Sequence, residues 1–158
     1  LNRGWWRRLQ PAAMEVFLGA AIAVVLWGVF WVGDKVSQWM FDFARPQVDL
    51  IYGLKDGWQP LGITLALLFI PGPAEEIFWR AFVQERLGRR YGANMGLILA
   101  TAIYTLVHIW SFNFMLVMAA LTCGMAWGLL YRFFPRHLTA IIVSHALWDA
   151  ATFVVFPI

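Results

Sequence analysis

"PAEEIFWRAF", residues 73–82, places two adjacent carboxylates and an arginine inside an apolar run. Just before it the chain reads "LALLFIPG" (65–72), and soon after it resumes as "MGLILATAIY" (95–104). Charge in an apolar interior is costly and survives where it is paired or does chemistry. The rest of the sequence shows how apolar the surroundings are. Of 158 residues, 61% are hydrophobic and 13% charged, against about 25% charged in an ordinary soluble domain. A soluble fold of this length could not bury that much apolar surface. The composition therefore predicts an all-α polytopic transmembrane bundle, a single membrane domain over 1–158 with its motif-bearing core over 61–157.

Five apolar segments come close to the ~20 residues needed to cross a bilayer. They are 14–33, a second from Leu61 through the charged motif to Leu87, then 93–111, 113–131 and 138–157. Residues 34–60 are mixed in polarity and broken at Pro46, and read as an amphipathic interfacial segment plus a loop. "LNRGWWRRLQ" (1–10) is too polar for a signal-peptide core. It reads as an interfacial stretch, with Trp5 and Trp6 at headgroup level and Arg3, Arg7 and Arg8 on lipid phosphates. The net charge of +3 raises nucleic acid as a partner, but the basic residues cluster at the ends of apolar segments, not in a patch. With the N-terminus inside, eight cytoplasmic arginines (3, 7, 8, 86, 89, 90, 132, 136) face three opposite cations, Lys35, Arg45 and Lys55. That asymmetry orients the bundle with a cytoplasmic N-terminus. The GxxxG patterns "GANMG" (92–96) and "GMAWG" (124–128) predict close helix packing. The single cysteine, Cys123, can form no internal disulfide.

Within the spans few ionisable residues remain: Glu75, Glu76 and Arg80 in the second, His108 in the third, His145 and Asp149 in the fifth. Glu15 falls at the edge of the first span and is expected to be interfacial. Glu76 and Arg80 are four apart and share a helix face, so they can pair. Glu75 lies about 100° round the helix and lacks a local cation. One glutamate is thus neutralised and the other left free; an unpaired carboxylate can take up a proton, as a general base does. "YTLVH" and "HALWD" repeat the four-residue spacing, aligning Tyr104 with His108 and His145 with Asp149. Groups of this kind inside a membrane face the bundle interior or a hydrated cavity.

The ordered triple of Glu75-Glu76-xxx-Arg80, Tyr104-xxx-His108 and His145-xxx-Asp149, one motif on each of three spans, resembles the CPBP family (CAAX proteases and bacteriocin-processing enzymes, or Abi). The resemblance covers about 70–150. It implies an intramembrane endopeptidase in which Glu75 activates water with help from His108, while His145 and Asp149 stabilise the oxyanion or bind the leaving group. Glu76, Arg80 and Tyr104 would support the site. The family more often has Phe at position 104 and Asn at 149. An ionised Asp149 cannot donate to an oxyanion, so it either stays protonated, orients His145 or meets a cation.

No cofactor is required by this reading, although Glu75, His108, His145 and Asp149 also make a workable zinc set. The implied substrate is a membrane-embedded or lipid-anchored protein tail, with the bilayer as the other partner and no nucleic acid. Small size, short loops and the lack of a targeting extension point to a prokaryotic inner membrane. A different class of explanation is a non-catalytic or proton-coupled carrier, or a partner subunit, using the buried charges structurally. A heme or quinone protein with two histidine ligands would leave the carboxylates unexplained. One tension is depth: at 1.5 Å per residue, His145 lies roughly 10 Å and His108 roughly 22 Å from the cytoplasmic edge.

Overall fold

A computed structural model describes residues 5–10 and 12–158. Leu1 and the expected interfacial Arg3 lie outside the described residues. The chain is 86% helical without strands among those residues, and five helical stretches are long and apolar enough to cross a membrane. Large apolar side chains such as Phe17, Val24, Val25 and Leu65 point outward. An outer surface of this kind suits lipid, where apolar exposure carries no penalty.

The first helix, α1, runs Ala13–Met40, 28 residues, longer at its C-terminal end than the 14–33 expected. At 1.5 Å per residue it is about 42 Å long, against a hydrocarbon slab of about 30 Å. Its last turns, which carry Asp34 and Lys35, therefore reach the interface. A short helix α2, Ala44–Gly53, follows. Pro46 sits in its first turn, where a missing N–H costs nothing, so it starts a helix where the sequence reading placed a break. Nor does α2 lie alone on the membrane. The Gln47 carbonyl accepts from Asn113 Nδ2 at 2.7 Å, and Gln47 Oε1 accepts the Met115 amide at 3.1 Å.

The second span, Pro60–Tyr91, is one crossing made of four pieces. Helix α3 (Pro60–Phe69) stops at Ile70, α4 (Pro71–Glu76) restarts, a π-helical segment covers Ile77–Gln84, and α5 (Glu85–Tyr91) completes it. Pro71 has no amide hydrogen and clashes with the carbonyl four residues back, so the helix must break there. A widened turn of this type is common beside functional sites. Then come α6 (Ala93–Leu106), α7 (Phe114–Phe133) and α8 (Leu138–Ala150), which widens into a second π turn at Ala151–Val155. Asn113 caps α7 by accepting the Leu116 amide at 2.9 Å. Helix α8 is the central post, packed against α1, α3 and α4, with α6 and α7 paired beside it.

Glu15, expected at the interface, is turned into the protein at the start of α1. It is buried, and it accepts the Ala140 amide at 3.2 Å and engages His137 Nδ1 at 2.7 Å. The first amides of a helix have no intrahelical partner and carry its positive dipole end, so a carboxylate is stabilised at the head of α8. Arg8, expected on phosphates, instead turns inward to Glu85 and the Tyr131 hydroxyl. Of the glycine patterns, Gly96, Gly124 and Gly128 do sit at close approaches, whereas Gly92 makes a turn with φ +89°.

Gly72 has the most consequential contact. A Cβ there would meet the Ala146 backbone N at 2.9 Å and Cα at 3.0 Å. Neither can give way, so Gly72→Ala should push α4 off α8 and cost about 1–3 kcal/mol, as overpacking does. Gly62→Ala, in open space, should be neutral or slightly stabilising. Thermal unfolding in detergent compares the two.

Candidate active site

The break at Ile70 delivers Glu75 and Glu76 to the middle of the bundle at the end of α4. Glu76 is fully buried, and Arg80, one turn on, is buried with it. Arg80 Nε lies 3.0 Å from Glu76 Oε2, an ion pair without good hydrogen-bond angles. The other Glu76 oxygen faces His145 Nδ1 on α8 at 2.8 Å. Across the ring, His145 Nε2 lies 3.4 Å from Asp149 Oδ2, one turn along α8. The imidazole is thus held between two carboxylates, and Trp127 of α7 stacks on its face at 3.8 Å between centroids and 16° between planes. The Trp127 indole N–H donates to Ser144 Oγ at 3.0 Å, which fixes the indole's own angle.

Glu75, half-buried, takes a different partner. It accepts a hydrogen bond from the Tyr104 hydroxyl of α6 at 2.9 Å. The Arg80 guanidinium lies over the Tyr104 ring, 5.3 Å from its centroid, and Trp79 meets the same ring edge-on at 5.2 Å. Glu75, Glu76, Arg80, Tyr104, His145 and Asp149 therefore form one connected cluster across α4, α6 and α8. His108 stands one turn beyond Tyr104, with its Nδ1 2.7 Å from the Tyr104 carbonyl and its ring 5.0 Å from the Tyr104 ring. Among the described residues no hydrogen bond joins it to Glu75, His145 or Asp149. The α6 side chain that meets Glu75 is Tyr104, and His108 is one turn further along. No three His, Cys, Asp or Glu side chains among the described residues converge as a metal site.

A cavity of about 730 Å³ opens beside the cluster, walled by α1, α2, α3, the start of α7 and the end of α8. Of the sequence-predicted site residues, Asp149 alone lines it. Sequence reasoning missed Trp127. Nothing in the spacing singled it out: the neighbouring Gly124 and Gly128 mark the close approach of α7 to α6, whereas Trp127 faces α8.

A family model described as "Type II CAAX prenyl endopeptidase Rce1-like" matches residues 57–151. The chain belongs to that family. The match contains every member of the cluster and His108, from the second span to Asp149, and leaves out α1, α2 and the last residues. As a CAAX-type endopeptidase the chain is an integral membrane protease. No curated protein matches it, and no solved structure does.

In this CAAX endopeptidase the Glu76–Arg80 pair has a testable weight. Removing one partner of a buried pair leaves an uncompensated charge, at about 3–5 kcal/mol. Arg80→Met should cost that much, and adding Glu76→Gln should recover part of it. Thermal or denaturant unfolding of the two variants reads the difference.

Proposed function

We propose that this protease cleaves a peptide bond near a membrane-embedded or lipid-anchored protein tail, using water activated by Glu75. A prenylated tail is the substrate that the family's description implies. The observation that carries the reading is the asymmetry of the two glutamates. Glu76 takes Arg80 and His145, whereas the partner of Glu75 is the neutral Tyr104 hydroxyl. A carboxylate held by one neutral donor keeps lone pairs for a water proton.

The roles follow from what each group can still do. The water oxygen attacks the peptide carbonyl carbon, its proton passes to Glu75, and Glu75 returns a proton to the leaving amine. Tyr104 aims the Glu75 carboxylate. His108, half-exposed one turn away, assists by relaying protons to or from the water. His145 Nδ1 is committed to Glu76 by a short contact, but the 3.4 Å contact of Nε2 with Asp149 is long for a charge-assisted bond. Nε2–H is therefore the donor that can turn to a developing oxyanion, with Asp149 orienting the ring. A ring facing two carboxylates is fully satisfied only with protons on both nitrogens. Neither cofactor nor metal is needed for these steps. The N-terminal side of the bundle faces the cytoplasm, a reading supported by the arginine distribution.

Glu75→Gln removes the base and keeps the shape. Its kcat/KM on a membrane-tethered peptide should fall about 10²–10⁴-fold, with thermal unfolding unchanged. Turnover should persist in EDTA or phenanthroline. Near-normal activity of the variant would overturn Glu75 as the base, and loss of activity on chelation would favour a metal mechanism.

A further inference from the structure

Part of the lining of the 730 Å³ chamber comes from stretches that the family match leaves out: the last turns of α1, the α2 residues Val48, Ile51 and Tyr52, and Ile158. Residues 156–158 do not trail away. Trp27 Nε1 donates to the Phe156 carbonyl at 3.0 Å. The Ile158 amide donates to the Tyr52 hydroxyl at 2.9 Å, and the Ile158 carbonyl accepts from Arg45 Nη1 at 3.1 Å. Two side chains of α2 thus read both main-chain groups of a single residue, whose side chain lines the chamber. Lys55, donating to the Phe153 carbonyl at 2.7 Å, anchors the base of the segment.

We propose that this mouth is a binding site for an extended apolar peptide segment, that residues 156–158 occupy it in this structure, and that Asp34 keeps the occupant displaceable. Reading of main-chain N–H and C=O selects backbone shape and tolerates sequence, while the apolar wall selects an apolar side chain. Burial raises the Tyr52 phenol above its ordinary pKa, so its oxygen stays a neutral partner for a peptide amide.

The displaceability comes from a competition for one guanidinium nitrogen. Asp34 is 7% exposed; its Oδ2 is held by Gln38 and Lys35, but Oδ1 is buried without a hydrogen bond. Arg45 Nη1 lies 4.0 Å from that oxygen and is engaged instead by Ile158. The other Arg45 nitrogens are taken by Asp49 at 2.7 and 2.9 Å. With the segment seated, a buried carboxylate oxygen goes unmet, which disfavours the seated state. With the segment released, a shift of about 1 Å brings Nη1 into hydrogen-bond range of Asp34. Each state satisfies what the other leaves open. That the chamber leads to the reacting atoms rests on the function proposed above, through Asp149, which lines it and lies 3.4 Å from His145.

The test reads the seat separately from catalysis. In a Cys123→Ala background, Ile158→Cys is labelled with a water-soluble maleimide in proteoliposomes. Arg45→Ala and Tyr52→Phe should each speed labelling, the former about tenfold, the worth of one charge-assisted hydrogen bond. Asp34→Asn should slow it, because the seated state no longer strands a charge. Acetyl-Phe-Pro-Ile amide should speed labelling by displacement, and acetyl-Phe-Pro-Asp amide should not. Thermal unfolding confirms that each variant is folded. Removing 156–158 should raise kcat/KM on the membrane-tethered peptide. Labelling indifferent to Arg45, Tyr52 and Asp34 overturns the proposal, as does unaltered kcat/KM once the segment is removed. Absence of turnover in the parent would sink the peptidase reading alone, since the labelling pattern still decides the seat.

Discussion

The arrangement depends on one buried carboxylate. Glu76 has no access to water, and an ion in such a place needs several kcal/mol of compensation. Arg80 supplies it along the helix and His145 supplies it from α8. Because the two partners come from different spans, the ion cluster fixes the position of α4 against α8 as well as its own charge. The same cross-link sets the angle of the His145 ring, on which Trp127 then stacks. Glu75, next along the chain, is turned by the helix toward α6 and meets a hydroxyl. The difference between the two glutamates is thus a consequence of helix geometry acting on adjacent positions.

Much of this could be read from residue spacing. Contacts four apart on one helix, Glu76 with Arg80 and His145 with Asp149, follow from 3.6 residues per turn and need no tertiary knowledge. The five spans follow from hydropathy and length. Contacts between helices do not follow. Nothing in the spacing shows that Glu76 meets His145, that Tyr104 reaches Glu75, or that His108 lies a turn past them. That Glu15 turns inward could not be read, because hydropathy sees an acid near a span's end and not the bare amides of α8 that receive it. The break at Ile70 was legible in Pro71 and Pro73, whose missing donors forbid a continuous helix. Treating 61–87 as one run passed over that signal.

The charged cluster lies wholly within the stretch that matches the CAAX endopeptidase family. The chamber beside it is lined in part by α1 and α2, which lie outside the matched residues. Fold and family alone do not fix what a site takes; that is set by the side chains that line it.

The contact of Glu15 with the head of α8 joins α1 to α8. A chain made from its N-terminus inserts α1 long before α8 exists. Until then that acid has neither the Ala140 amide nor His137 beside it. This tie between α1 and α8 can therefore form only after residues 138–150 have been made.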